Sequence, residues 1–108
     1  MPEPAWKDFE RRIARVFGGK RRGAGTSTEG KGKTDVFAPG WAIECKLLSR
    51  PAFADLLNAA RQAEANADSP TDIPVAILKR KGDRDANALV VIRLERFEEF
   101  FVNEATHE

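Results

Sequence analysis

Apolar, strand-length runs alternate with helix-periodic segments along this chain, and that interleaving limits the fold more than any other feature. The two clearest runs are Trp41 to Leu48 and Ile73 to Lys79, with an Ala-rich helical stretch between them. Pro51 opens that stretch, where its missing N–H costs nothing. The helix runs to about Ala67, with Phe53, Leu56, Leu57, Ala60, Ala63 and Ala67 inward, and ends before Pro70. Upstream, Pro4 to Phe17 carries Trp6, Phe9, Ile13, Val16 and Phe17 at three-to-four spacing, the mark of one buried helical stripe, and Gly18-Gly19 stops it. A short strand at Lys20 to Arg22 follows, then one from Thr34 to Ala38, joined to Trp41–Leu48 by a Pro39-Gly40 turn. After a charged turn at 80–87, Ala88 to Arg93 reads as a last strand and Leu94 to Asn103 as an amphipathic helix carrying Phe97, Phe100 and Phe101. The order α-β-β-β-α-β-β-α predicts an α/β fold, a small central mixed β-sheet flanked by helices.

At 108 residues the chain suits a single domain with its core at about 5–103. Its 42% hydrophobic and 32% charged residues place it with globular rather than disordered chains. No apolar run approaches the roughly 20 residues of a membrane span. The opening MPEPAWKDFERR carries acids and no apolar h-region, so no signal peptide is expected. Cys45 is the sole cysteine and His107 the sole histidine. An intrachain disulfide is therefore excluded, and a reducing, cytoplasmic setting is expected. The same two residues cannot supply an all-protein thiolate or imidazole zinc site, or a Ser-His-Asp or Cys-His triad. Nine of the 18 basic residues but only four of the 17 acidic ones fall in residues 1–33. A basic stretch on a near-neutral chain suggests an anion-facing surface, with nucleic acid as the first candidate and a solvated loop as the plain alternative.

The informative segment runs from Thr34 to Lys46. Strand side chains alternate between faces, so Trp41, Ile43, Cys45 and Leu47 share one side, read as core, and Ala42, Glu44 and Lys46 the other. Asp35 lies on the adjacent strand across a two-residue turn, so its carboxylate can converge on Glu44. Two carboxylates and a lysine at a strand edge suit a hard divalent cation such as Mg²⁺, which takes oxygen ligands, water and a substrate phosphate oxygen. Mn²⁺ accepts the same ligands. A cation so held activates water and offsets charge on a phosphodiester, and a nearby lysine stabilises developing negative charge. The plain alternative is a Glu–Lys pair on an exposed sheet face, worth a few tenths of a kcal/mol.

Other residues add to this constellation. Glu10 borders the apolar stripe of the first helix, from where it can point toward the cation or simply pair with neighbours. The basic, Gly-rich segment 20–33 leads into the Asp35 strand. There Lys20, Arg21, Arg22, Lys31, Lys33 and the hydroxyls of Thr26, Ser27 and Thr28 could hold phosphates. Gln62, polar within the Ala-rich helix, is a candidate to support the ligands from behind. Gly25 to Lys31 fits GxxxxGK, but Gly32 stands where a nucleotide-binding loop needs Ser or Thr, and no apolar strand precedes it. No nucleotide cofactor is expected.

Glu10 in a first helix, then Asp35, then Glu44-Cys45-Lys46 on one strand, then an Ala-rich helix with Gln62, resembles the PD-(D/E)xK nuclease superfamily. Within it the pattern is similar to the archaeal-type Holliday junction resolvases, which also occur in phages. An Ile-Glu-Cys-Lys strand like that at 43–46 is typical of them, and the likeness covers roughly residues 5 to 101. The resemblance implies a restriction-endonuclease-like fold and a Mg²⁺-dependent endodeoxyribonuclease acting in DNA recombination and DNA repair. As a homodimer it would make paired nicks at four-way junctions, a twofold enzyme on a pseudo-symmetric substrate. It further implies that Asp35 and Glu44 bind the metal, with the Cys45 carbonyl as a further ligand. Lys46 would position the attacking water or the transition-state charge, and Glu10 would assist the metal. A loop hydroxyl would contact the scissile phosphate; Ser27 is the first choice, with Thr26 and Thr28 competing. Thr34 stands where the family usually has Pro. Two other functions fit the same residues: a related nuclease of DNA repair or phage DNA processing without junction specificity, and a non-catalytic DNA-binding module.

Overall fold

The computed structural model describes residues 4–22 and 33–103. Its elements follow the expected order: α1 (Ala5–Val16), β1 (Lys20–Arg21), β2 (Val36–Ala38), β3 (Trp41–Leu48), α2 (Phe53–Asn66), β4 (Ile73–Arg80), β5 (Leu89–Val91) and α3 (Leu94–Phe97). A 3-10 turn, Asp85–Asn87, precedes β5, and α3 widens into a π-helical stretch, Glu98–Val102. The strands form one mixed sheet in sequential order. β3 and β4 run parallel over their whole length, from Trp41 opposite Ile73 to Leu48 opposite Arg80, because α2 carries the chain back between them. The other described pairings are antiparallel. The β2–β3 turn is tight because Gly40 adopts φ +85°, which a side chain would oppose. Gly19 lets β1 lie against β2, since a Cβ there would sit 2.1 Å from the Phe37 carbonyl oxygen. No helix is long and apolar enough to cross a membrane among the described residues.

Helices cover both faces of the sheet. On one, Phe9, Ile13 and Ala14 of α1 pack with Val36, Ala38, Ile43, Cys45, Val75 and Ile77. On the other, Ala59 of α2 packs with Ala76 and Leu78, backed by Leu48, Leu56 and Val91. This corrects the expected inside and outside of β3. Ala42 and Glu44 are as buried as Ile43 and Cys45, because α2 lies over the face that alternation alone leaves open.

The helical stripes are also rotated from expectation. The inward arc of α1 takes in Glu10 and Ala14 and leaves Val16 75% exposed, since the small Ala14 lets the helix approach the sheet on that side. In α2 the buried set is Ala59, Ala60 and Ala63, whereas Phe53 at the first turn is exposed and Ala67 lies just past the helix. Pro51 stands outside α2, whose N-cap is Ala52; its N–H donates to Asp55 Oδ2 at 2.8 Å. Thr34 and Asp35 precede β2 instead of belonging to it, and α3 with its π-helical extension buries none of its residues.

A shared carboxylate ties β4 to α1. Lys79, on a side chain only 8% exposed, donates to Asp85 Oδ1 at 2.9 Å, and Arg12 donates to both oxygens of Asp85 at 2.6 and 3.2 Å. Those hydrogen bonds, Arg12's foremost, hold the Asp85 carboxyl down at about 2. Asp85→Ala leaves the Lys79 ammonium buried without its carboxylate. The expected cost is about 1–3 kcal/mol, read as a lower urea midpoint at unchanged slope. A midpoint equal to that of the parent would show that Lys79 does not depend on this pair.

Candidate active site

The site forms where the β2–β3 ladder stops. The last registered pair is Val36 opposite Ile43. From Glu44 to Leu48, β3 therefore has β4 on one side and, among the described residues, no strand partner on the other. Asp35 sits at this break and is fixed three ways. Its N–H donates to the Ile43 carbonyl at 3.1 Å, its carbonyl accepts from the Arg22 N–H at 2.9 Å, and its Oδ2 accepts from the Cys45 N–H at 2.9 Å. A side-chain oxygen thus satisfies the Cys45 backbone donor, in the place a ladder carbonyl would otherwise fill. Because N–H and C=O of a strand residue point to the same side, the Cys45 carbonyl faces this gap as well. The Cys45 thiol does not, being buried in the α1 core, where burial first and then the nearby carboxylates push its pKa up.

Glu44 points the other way, toward α2, and is 1% exposed. Asn66 Nδ2 donates to its Oε1 at 3.1 Å. Burial, then the negative charge of Asp35, with which Glu44 is in hydrogen-bonding contact, push the Glu44 carboxyl up to about 8; Asn66 and Lys46 work against the shift. Glu10 approaches Asp35 from α1. It too is buried, its Oε1 accepts from Arg21 Nε at 2.7 Å, and burial outweighs Arg21 to raise its pKa, with Asp35 adding to the rise. Asp35 is therefore the link between two buried carboxyls on opposite sides of the sheet. A groove of about 510 Å³ opens over it, lined by Ala5, Trp6, Glu10, Asp35, Cys45, Lys46, Leu47, Leu48 and Lys81.

The structure brings Glu10, Asp35, Glu44, Cys45 and Lys46 together and separates Gln62 from them. Gln62 is exposed, and the α2 side chain that reaches Glu44 is Asn66. The physical reason is helical phase: Asn66 continues the Ala59–Ala63 stripe that faces the sheet, and Gln62 falls outside it. Of the basic residues, Lys20 and Lys33 are exposed. Arg21 is held by Glu10, and Arg22 donates to the Thr34 carbonyl and to Asp68 Oδ2 at 2.9 Å. Thr26, Ser27, Thr28 and Lys31 lie outside the described residues.

Among the described residues no three carboxylate, thiol or imidazole side chains converge as a ready-made metal cage. The donor set nonetheless fits a hard divalent cation of the Mg²⁺ kind, which needs one or two carboxylates and completes its shell with carbonyl, water and substrate oxygens. Burial is the first cause of the upward shift at Glu44 and the charge of Asp35 the second; the second is relieved by a cation as well as by a proton. No protein-family model matches the chain, no curated protein matches it, and no solved structure matches it.

Proposed function

We propose that this chain is a metal-dependent endodeoxyribonuclease of the PD-(D/E)xK type, with a restriction-endonuclease-like fold, acting as a Holliday junction resolvase. The observation that carries the reading is the Asp35 carboxylate clamped to the backbone of the Glu44-Cys45-Lys46 strand, in contact with Glu44 and open to the groove that Glu10 and Lys46 share. Asp35, Glu44 and the Cys45 carbonyl would hold Mg²⁺ or Mn²⁺. When bound, the ion supplies charge neutralisation at the scissile phosphate and an activated water. Lys46 lines the groove beside Asp35, where its ammonium orients the attacking water and stabilises charge on the phosphate oxygens. Glu10, itself in the groove lining, holds Arg21 and adds negative potential next to Asp35. Asn66 fixes the Glu44 carboxyl from behind. Exposed apolar side chains on β5 and α3, among them Val90 and Leu94, support pairing of two copies as a homodimer.

The test is cleavage of a labelled synthetic four-way junction beside linear duplex and single strand, with Mg²⁺ and with chelator. Symmetric, metal-dependent nicks in the junction alone are expected. Cutting of every substrate keeps the nuclease and removes the junction assignment. Tight binding without cutting moves the function to a DNA-binding module.

A further inference from the structure

Trp6 is the one aromatic residue lining the Asp35 groove among the described residues. It stands one helical turn before Glu10 on the inward arc of α1, yet it is 48% exposed, because at the first turn this arc overhangs the groove instead of the sheet. Core packing therefore does not account for it. The Lys7 ammonium and the Arg21 guanidinium lie over its ring, 5.4 and 5.6 Å from the centroid; Arg21 is held by Glu10, so a stacking base takes the place of Lys7. Lys46 and Lys81 line the same groove. A half-exposed indole flanked by cations matches the two parts of a nucleotide, a base that stacks on an aromatic face and phosphates that pair with ammonium or guanidinium groups.

We infer that Trp6 is a stacking platform for one unpaired base of the DNA substrate, next to the phosphate held at Asp35. This rests on the nuclease reading and adds a substrate requirement to it. The strand at the site must present a base freed from its duplex, as at a branch point, an overhang or a frayed end. Lys7 and Arg21 then face the phosphates flanking that base.

The test measures equilibrium binding in the presence of chelator, so that nothing is cut. The probes are a fluorescein-labelled duplex with a single-stranded overhang and the blunt duplex of the same sequence. Trp6→Ala is expected to weaken overhang binding about tenfold, the loss typical of one base–aromatic stack, and to leave blunt-duplex binding within about twofold. Trp6→Phe, which keeps a ring and tolerates any folding role of the site, is expected to restore most of the overhang affinity. In a Trp41→Phe background, the remaining Trp6 fluorescence is expected to be quenched by the overhang probe and not by the blunt one. Equal binding of the overhang by wild type and Trp6→Ala overturns the platform and leaves the nuclease reading intact. No DNA binding by the wild type overturns both.

Discussion

Lys46→Ala is expected to reduce phosphodiester cleavage by about 10²–10³-fold, the usual effect of removing one group aimed at developing charge. That loss corresponds to roughly 2.7–4 kcal/mol of transition-state stabilisation. Binding should stay within a few fold, because Lys81 remains in the groove and the basic stretch of residues 20–33 is unchanged. Single-turnover rates at saturating junction DNA separate the two quantities. A variant that cuts at the parental rate would show that the ammonium takes no part in the reaction. One that loses binding and cutting equally would make Lys46 a phosphate contact.

Glu44→Gln is expected to lower cleavage by about 10³-fold or more, since it removes a carboxylate from the proposed cation site and with it several kcal/mol of charge stabilisation. It should also make the protein more stable. The Glu44 carboxyl is pushed from 4.5 to about 8 by burial and by Asp35. Between those values the folded protein keeps a proton that the unfolded chain has released, so stability falls as pH rises from about 4.5 to about 8. The slope approaches about 1.4 kcal/mol per pH unit at most. Glutamine still accepts from Asn66 and carries no charge, so the variant should lose this slope and melt at least about 5 °C higher than the parent at pH 8. Thermal melts of both proteins across that range in chelator give the comparison. Parallel melting curves against pH would mean that Glu44 is not the group that titrates with folding.

The sheet was legible in the sequence wherever the chain carries continuous apolar runs. Trp41–Leu48 is found with its expected ends and Ile73–Lys79 is one residue longer. The faces of those strands were less legible, because alternation assigns two sides but does not say whether a second helix covers the outer one. Ala42 and Glu44 were misjudged for that reason alone. Helical phase was misread where apolar residues lie at both borders of the arc, as Val16 does on α1. On α2 the usable signal was the spacing of Ala59, Ala63 and Asn66, which places one amide among alanines on a single face. Gln62 stands three residues after Ala59 and four before Asn66, so spacing alone does not exclude it; the buried Ala60 and Ala63 turn the inward arc to the other side of Ala59. The ion pair of Arg21 with Glu10 could not be read at all, since it depends on β1 pairing beside β2 and bringing a strand residue to a helix eleven residues upstream.

The division of the carboxyl groups between two parts of the chain has a consequence for how the protein holds itself ready. Glu44, Lys46 and Asn66 all belong to the contiguous parallel unit from Trp41 to Arg80. Asp35 and Glu10 come from the flank, joined to that unit by a short antiparallel ladder, by the Cys45 N–H to Asp35 bond and by the apolar packing of α1 on β3 and β4. Native chains open in cooperative pieces, and thinly paired pieces open first. The assembled constellation is thus a property of docking rather than of the central unit. Under the proposed function, a cation or backbone phosphate that binds only the assembled site would favour the docked state by that binding.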